Sequence, residues 1–539
     1  MKRNPGLVLL PLVLALGCAL GIYVGKVIYG NQLSARQEKL MSILDLIETD
    51  YVDSVSVDSL LEMTYPKLLG LLDPHSAYIP AADLTAVNED LDGSFSGVGV
   101  SFQILNDTVH IIEIVAGGPS EKVGLQAGDR ILRVDTIDLT GKNATNENVF
   151  KYLRGKEGTK VKLSIKRTNS AKPLSFEVTR GKVPVNSVDS KYIVDGKTGY
   201  IRVNKFSRST YDEFVGALQE LTARGAEELV VDLRGNSGGY MDQAILMANE
   251  FLPAGRMIVY TKGKNRINES EAVSDGTGDY KDLPLAVLMD EFSASASEIF
   301  AGALQDNDRA IIVGRRSFGK GLVQNQTPLL DNSAVRLTVA RYYTPSGRSI
   351  QKEYKLGELG KYDLDINERF THGEFYHADS IKLDKSKAFK TAAGRTVYGG
   401  GGIIPDVFVP VDTSDYSPYY RDLVAKAIIN RTAINYVDAN RAELLKKYPT
   451  YLDFYRDFAI SDAIVDQLKA NGAEKGVEFN QENWDRSGEL IKAILRGLMA
   501  RDLYENAPYS LFLKPYNDDL QEAEKIIQEN RIRPILNGI

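Results

Sequence analysis

Apolar positions change their spacing along the chain, and each change marks a different kind of element. Over residues 34–91 they recur every three to four positions, which predicts helices that end before Pro74. Over 92–183 the period shortens, and strands are predicted at 109–115 and 161–165 between glycine-rich turns. The helical stripe of the first region consists of Leu40, Ile43, Leu44 and Ile47.

From Tyr200 onward, strands alternate with helical stretches. Continuous apolar runs at 225–232, 285–289 and 310–313 predict buried strands, and 299–304 predicts a helix. This alternation is typical of a mixed α/β core.

The segments after residue 350 follow other patterns. Residues 351–398 are polar with few apolar runs, so we expect a long surface insertion that is partly disordered. Beyond Pro410 helical periodicity returns, with apolar stripes in 491–499 and 520–527. These stripes suit a plain helical core or a partner-binding helical module.

The N-terminus carries an uncharged run at 5–25, preceded by Lys2 and Arg3. As a helix this run is long enough to cross a bilayer, and the basic residues favour a cytoplasmic N-terminus. The alternatives are a signal peptide cleaved after the small residues 15–17, and a lipoprotein acylated at Cys18. All three export the rest of the chain.

The amino-acid composition excludes some classes of function. The 539 residues predict three or four domains, and 43% apolar with 25% charged residues is ordinary globular balance. A net charge of −7 with mixed signs argues against nucleic-acid binding. The single cysteine and four scattered histidines, none in a HExxH pair, give no zinc-site pattern, so we expect no metal and no cofactor.

A serine triplet stands where the strand 285–289 gives way to the helix 299–304. At such a junction backbone N–H groups and the helix dipole can stabilise an oxyanion, which makes Ser295 a candidate nucleophile. The alternative is structural, because Ser295 and Glu298 fit the capping box of any helix start. The triplet consists of Ser293, Ser295 and Ser297.

The segment 314–321 nearly matches a phosphate-binding loop. Its last residue is Gly321 rather than Ser or Thr, and Pro328 prevents a long following helix, so nucleotide binding is rejected. What remains is Lys320 in a glycine-lined turn beside apolar residues. Burial there would lower the lysine pKa and leave a neutral amine to act as a base. A surface lysine in a loop is the alternative.

A third candidate is the glycine-rich segment 93–102, followed by glycines at 117–118 and GLQAGDRIL at 124–132. Backbone N–H groups in such a turn can bind a terminal carboxylate, although a simple hairpin loop also fits. No lysine or arginine occurs in 93–121, so we expect recognition by N–H groups and a preference for an apolar terminal side chain. The predicted substrate-binding residues are Ser96, Gly97, Val98, Gly99 and Val100.

Taken together, these motifs resemble the C-terminal processing peptidases, also called tail-specific proteases. Residues 92–183 look like a PDZ domain, and SASASEIFAGALQD, RRSFGKGLVQ, VVDLRGNSGG and YYTPSGRSI follow the family's order over about 36–411. The resemblance implies a nucleophile, a general base that a glutamine orients, and an oxyanion site. These roles fall on Ser295, Lys320 and Gln324, and on Gly238, Gly239 and Ala296, respectively.

Some features depart from the family or need a separate interpretation. Asp306 matches an aspartate assigned to catalysis in some members, and we interpret it as structural. Ser237 replaces the usual proline, and 351–398 and 412–539 fall outside the common pattern.

The sequence therefore predicts an α+β multidomain protein. It has a PDZ domain before a mixed α/β Ser-Lys peptidase core, with N-terminal helices and a C-terminal helical extension. The expected divisions are 1–30 (anchor or signal segment), 34–91 (helices), 92–183 (PDZ), 184–411 (peptidase core) and 412–539 (helical domain).

The predicted function is that of an exported serine endopeptidase, anchored by one span in the cytoplasmic membrane with its bulk on the periplasmic side. The PDZ domain would bind free C-termini of protein substrates. A second copy of the chain or an adaptor lipoprotein is a candidate partner. The alternative function is a catalytically silent PDZ adaptor.

Overall fold

The described part of the chain forms two compact units, one ending at Gly70 and the other beginning at Leu71. The candidate membrane span at 5–25 lies outside the described residues. Among the helices that are described, none is both long and apolar enough to cross a membrane. The computed structural model describes residues 34–105, 107–168, 170–357, 359–504 and 507–537.

The region predicted to be helical, 34–91, is helical only in part. In the first unit, α1 (Ala35–Asp50) carries the predicted stripe and α2 (Val57–Gly70) follows it, but no residue of either helix is buried within the chain. In the second unit, the strand β1 (Ala77–Ile79) precedes α3 (Ala81–Asp92). Periodicity alone did not reveal β1, because a three-residue strand is too short to show alternation.

The region 94–184 is a small β-domain. One sheet has the order β3-β4-β5-β7-β8 with β6 beside β5, and β2 pairs separately with β9. Its apolar core includes Val98, Ile111 and Leu163, all nearly inaccessible to solvent. The elements are β2 (Ser94–Gly97), β3 (Val100–Leu105), β4 (Thr108–Ile114), α4 (Pro119–Lys122), β5 (Arg130–Val134), β6 (Ile137–Asp138), α5 (Asn146–Leu153), β7 (Lys160–Lys166), β8 (Leu174–Thr179) and β9 (Gly181–Pro184).

A six-stranded sheet forms the centre of the second unit, and its strands confirm the predicted buried runs. Its order is β10-β11-β12-β15-β16-β21, and every neighbouring pair except β10 with β11 is parallel. Parallel strands that are covered on both faces have continuous apolar sequences, because the side chains on both faces are buried. The strands are β10 (Val188–Ile193), β11 (Thr198–Val203), β12 (Glu228–Asp232), β15 (Leu285–Met289), β16 (Ile311–Gly314) and β21 (Val407–Phe408).

The two faces of this sheet are covered by different parts of the chain. Side chains such as Val231 and Val287 pack against α6 (Thr210–Ala223), α7 (Met241–Asn249) and α8 (Ala296–Asp306). Their neighbours along the same strands, such as Val230 and Leu288, pack against the C-terminal helices, because successive side chains of a strand point to opposite faces.

The C-terminal helices thus form the second layer of the core. The predicted stripes fall on α14 and α16, where Ile491, Leu495, Leu520 and Ile526 are almost fully buried. Within this chain they behave as a helical core. The helices are α10 (Pro418–Ala425), α11 (Ile428–Lys447), α12 (Tyr451–Asp457), α13 (Asp462–Glu474), α14 (Gln481–Leu503), α15 (Tyr509–Phe512), α16 (Asp518–Gln528) and α17 (Ile532–Leu536).

A second sheet of five strands, all paired antiparallel, lies beside the segments that carry Ser295 and Lys320. Its order is β1-β18-β13-β14, and β17 pairs with β18. The strands are β13 (Met257–Gly263), β14 (Ser270–Val273), β17 (Leu322–Pro328) and β18 (Ala334–Tyr343), with β1 as given above.

The polar segment 351–398, predicted to be a long surface insertion that is partly disordered, contains regular elements in its described part. It contains α9 (Leu359–Thr371) and the hairpin β19 (Ala388–Lys390) with β20 (Thr396–Tyr398). Arg369 is buried and donates hydrogen bonds to the carbonyl oxygens of Arg316 and Ser317. Glu374 is also buried and pairs with both Arg316 and Arg369, so charged side chains of this segment take part in the packing of the fold.

Candidate active site

Ser295 lies at the turn between β15 and α8, as the sequence predicted. Its backbone φ of 56° is in a region that non-glycine residues rarely adopt, and such strain is typical of functional sites. The flanking strand and helix are buried and hold the turn, whereas Ser295 itself is partly exposed.

The Glu298 carboxylate joins the candidate nucleophile and the candidate base. Its Oε2 accepts the N–H groups of both Ser295 and Lys320, each at 2.8 Å. Its Oε1 accepts the Gly319 N–H at 2.7 Å and also the Ser317 hydroxyl. One buried side chain therefore brings the two catalytic segments together, although the sequence had suggested for it only the role of helix cap.

Burial raises the pKa of Glu298 to about 7, against the hydrogen bonds it accepts, which lower it. The carboxylate thus titrates near neutrality. Its four donors make the charged form tolerable in a site that solvent does not reach.

Tyr342, on β18, contacts the same two residues from another side. Its hydroxyl lies 3.1 Å from the carbonyl oxygen of Ser295 and also bonds the carbonyl oxygen of Lys320. The Tyr342 ring is almost fully buried. We call Glu298 and Tyr342 the inner clamp, because they fix the backbones of Ser295 and Lys320 through groups of the peptidase core itself.

The Lys320 side chain meets the expectation of a partly desolvated amine. Burial lowers its pKa below the ordinary value, and the positive charge of Arg336 adds to the effect, while Glu298 and Asp73 oppose it. A larger fraction of the amine is therefore neutral at a given pH, which is what a general base requires.

Gln324 comes after Lys320 in the chain and lies on β17, which pairs with β18. Its amide nitrogen donates to Thr338 Oγ1 at 3.2 Å, and Thr338 Oγ1 donates to Asp73 Oδ1 at 3.0 Å. The predicted role of Gln324 toward Lys320 stays a prediction.

The segment 73–76 therefore lies next to the candidate base. From the sequence it was interpreted only as the end of a helix. Its His75 Nε2 lies 2.9 Å from the Tyr362 hydroxyl, and burial together with the Lys320 charge lowers the His75 pKa to about 4.

The loop 233–239 brings the predicted oxyanion residues to Ser295. A side chain at Gly238, where φ is 101°, would come within 2.7 Å of Ser295 Cβ and 2.9 Å of the Ala296 nitrogen, so only glycine permits this approach. A side chain at Gly239 would collide with the Phe206 carbonyl. In this conformation the Gly238 N–H donates to Asn236 Oδ1 at 2.8 Å. Which N–H groups bind an oxyanion stays a prediction.

Asp306 has the structural surroundings that the sequence interpretation expected. Its Oδ1 lies 2.8 Å from Nη2 of Arg348, and both side chains are fully buried. Its Oδ2 accepts the Ser346 N–H at 3.1 Å. The pair anchors the loop after β18 to the end of α8.

The predicted tail-binding loop, 96–100, connects β2 to β3. The carbonyl oxygens of Val98 and Gly99 accept N–H groups from 115–120, which fixes the loop, and Val98 is buried in the domain core. The expectation that no cationic side chain lies nearby overlooked Arg154. Its guanidinium lies 4.5 Å from the Phe95 ring, next to the loop, because the end of α5 returns there.

Comparisons with known proteins agree with this organisation. Residues 197–357 match the model of peptidase family S41, and 96–179 match the PDZ domain. Residues 419–505 match a family of unknown function, DUF8443.

Relatives over the same region are named as proteases. The chain is 38% identical over 314 residues to a carboxy-terminal-processing protease of Bartonella bacilliformis, covering 57% of this chain and 71% of that protein. It is 34% identical to a probable CtpA-like serine protease of Staphylococcus aureus, covering 59% and 63%. Among solved structures, the photosystem II D1 C-terminal processing protease is 29% identical with a TM-score of 0.34, covering 59% of this chain and 91% of that one.

Proposed function

The chain belongs to the carboxy-terminal-processing peptidases of family S41, serine-type peptidases with a PDZ domain, and from this membership we propose that it cleaves protein substrates with a Ser295–Lys320 dyad. In this proposal the PDZ domain binds the free C-terminus of the substrate. The observation that carries the dyad is the single oxygen of Glu298 that accepts the N–H groups of both residues.

The proposed reaction needs only groups of the chain and water. The neutral Lys320 amine takes the Ser295 hydroxyl proton as Oγ bonds to the scissile carbonyl carbon. The C–N bond then breaks as the Lys320 ammonium returns that proton to the leaving amine. Water, deprotonated by Lys320, next attacks the ester, which releases the carboxylic acid and restores the Ser295 hydroxyl.

The direct test is Ser295→Ala, compared with alanine at the two flanking serines. We expect Ser295→Ala to abolish cleavage with the fold intact, because it removes the acyl acceptor. The hydroxyls of Ser293 and Ser297 already donate to the carbonyl oxygens of Leu233 and Asn236, so their alanine variants should lose activity only in part. If one of these were the inactive variant instead, the assignment of the nucleophile would be wrong.

Lys320 is tested by Lys320→Arg and by the pH dependence of kcat/KM. Arginine keeps the charge but cannot be deprotonated, so the variant should be inactive. In the wild type, kcat/KM should rise with pH along a limb centred below 10.5, because desolvation lowers the Lys320 pKa. Near-normal turnover by Lys320→Arg would remove the dyad mechanism.

Tail recognition is tested with one peptide, as the free acid and as the C-terminal amide. If 96–100 binds the carboxylate, amidation should raise KM and slow cleavage without moving the scissile bond. Equal rates for both peptides below saturation would show that this loop does not sense the terminus.

We further propose that the chain is exported and held by one span in the cytoplasmic membrane, with its bulk in the periplasm. The support is the uncharged run at 5–25 behind Lys2 and Arg3. Intact-mass measurement of the membrane-extracted protein distinguishes a retained anchor from cleavage or acylation at Cys18. Protection of the bulk of the chain from protease in intact spheroplasts would contradict export.

The alternative function, a silent PDZ adaptor, is not favoured, because the relatives of this chain are serine-type peptidases. It predicts that wild-type protein and Ser295→Ala bind a tail peptide equally and that neither cleaves it. Mass spectrometry of an envelope extract incubated with each form decides between the two.

A further inference from the structure

The carboxyl ends of three neighbouring parallel strands lead into the three loops of the site. β12 leads to the glycine loop 233–239, β15 to the nucleophile turn, and β16 to the loop that carries Lys320. The C-terminal helices cover one face of these strands, and α16 begins beside their carboxyl ends.

Two residues at the start of α16, Asn517 and Asp519, reach these loops. The Arg234 guanidinium bonds Asn517 Oδ1 at 2.9 Å and Asp519 Oδ2 at 2.7 Å through the same nitrogen. The other side of Arg234 bonds the buried Asp232. We call Asn517 and Asp519 the outer brace, because they belong to the helical extension rather than to the peptidase core.

The Asp519 carboxylate also faces the other two loops. It lies 3.7 Å from Nη1 of Arg315, which begins the Lys320 loop, and Arg315 bonds Glu291 of the nucleophile turn at 2.8 Å. The Asp519 side chain is only 7% exposed, so these charges interact with little screening by solvent. The Asp519 carboxylate thus contacts Arg234 of the glycine loop. It also faces Arg315, which belongs to the lysine loop and is hydrogen-bonded to the nucleophile turn.

We propose that Asp519 is a positioning residue, through which the C-terminal helical domain holds the glycine loop and the lysine loop in their catalytic arrangement. This inference rests on the proposed function, because it assigns the loops their roles in peptide hydrolysis. Gly235, Gly238 and Gly239 all have φ values that favour glycine, so the loop has little stiffness of its own and depends on Arg234 at its base.

The test is Asp519→Asn, which keeps the shape of the side chain and removes its charge. We expect kcat for a peptide substrate to fall about 10-fold or more while KM stays within about 2-fold, because the loops matter most in the transition state. The labelling rate of Ser295 by a fluorophosphonate should fall in parallel. Asp519→Glu, which restores the charge, should recover part of kcat.

The matched control is Asp502→Asn. Asp502 is similarly buried, at 5% side-chain exposure, and it pairs at 2.9 Å with Arg441, whose guanidinium lies against Gly128 of the β-domain rather than against the site loops. This variant should lower the unfolding temperature as Asp519→Asn does, yet leave kcat within about 2-fold.

A structural role alone for Asp519 would make the two variants equal in kcat at matched folded fraction, and that result would overturn the inference. Failure of the proposed function would give a different experimental result. In that case Ser295→Ala would still cleave, or the wild type would cleave nothing.

Discussion

The inner clamp and the outer brace hold the same catalytic segments by opposite means. Glu298 is three residues from Ser295 and bonds backbone N–H groups directly, so it fixes the reacting residues themselves. Asp519 comes from more than two hundred residues further along the chain and acts on arginine side chains at the bases of the loops. The clamp is intrinsic to the peptidase core, whereas the brace exists only when the helical extension has folded against it.

The two sets of contacts that position the loops of the site therefore come from two different layers of the fold. The helices α6–α8 cover one face of the central sheet, and the C-terminal helices cover the other. A change in the extension therefore reaches the site loops through the outer brace without touching Ser295 or Lys320. We expect the charged member of each set, Glu298 in the clamp and Asp519 in the brace, to affect kcat more than its neutral partner.

Glu298→Gln should give the largest effect. The amide replaces one accepting oxygen with a donor that faces N–H or O–H groups, and each buried unsatisfied donor costs about 1–3 kcal/mol. Expressed at the dyad, a cost of this size corresponds to a fall in kcat of about 5- to 150-fold. Peptide cleavage with active-site titration measures it.

The control is Glu250→Gln, since Glu250 is also buried but bonds the hydroxyl of Tyr211 away from the site. It should change stability and leave kcat nearly unchanged. Equal kcat for the two glutamine variants would mean that the clamp does not position the dyad.

The pH dependence of stability should reveal the same carboxyl group. Its pKa is about 7 in the folded chain and near 4.5 when unfolded, so the folded state binds this proton more tightly. The contribution is complete below pH 4.5 and is lost as pH rises through 7, at most about 3 kcal/mol. Denaturant unfolding at pH 5 and pH 8 should show this loss in the wild type and not in Glu298→Gln.

Sequence reasoning found the parts of the site that local pattern encodes. The buried strands at 285–289 and 310–313 were predictable because continuous apolar runs report burial on both faces. The turn at Ser295 was predictable from its place between a buried strand and a helix, although its backbone conformation is rare for serine. Family resemblance supplied the roles of the residues.

What could not be predicted depends on contacts between distant segments. Nothing local distinguishes Glu298 as a helix cap from Glu298 as a clamp, since three of its four donors lie on another loop. In the sequence, Asp519 cannot be distinguished from an ordinary acidic residue in the first turn of a helix. The burial of Arg369 and Glu374 within the polar segment 351–398 was likewise not predictable, because the linear pattern does not show that they pair with each other and with Arg316.

Tyr342→Phe should have a smaller effect than the loss of Glu298, since it removes one neutral donor from the clamp. A hydrogen bond of this kind stabilises by about 0.5–1.5 kcal/mol, which corresponds to a fall in kcat of about 3- to 10-fold if it is expressed at the dyad. The control is Tyr343→Phe, because the ring of Tyr343 stacks on Tyr260 instead. A fall in kcat for both variants alike would assign the effect to β18 as a whole.

The smallest effect is expected at the neutral member of the outer brace. Asn517 Oδ1 accepts from Arg234 at 2.9 Å and also caps α16 by accepting the Leu520 N–H at 3.2 Å. Asn517→Ala should therefore lower the unfolding free energy by about 0.5–2 kcal/mol through the lost cap. It should lower kcat only about 2-fold, because Asp519 still holds Arg234.

Asn517→Ser separates these two functions of one oxygen. Serine is as good a helix cap as asparagine but its side chain is shorter, so the variant should regain the stability of the wild type and keep the reduced kcat. Thermal unfolding and steady-state kinetics on the same preparations measure both. If serine restored kcat together with stability, the brace would act only by keeping α16 folded, and its contact with Arg234 would carry no part of the activity.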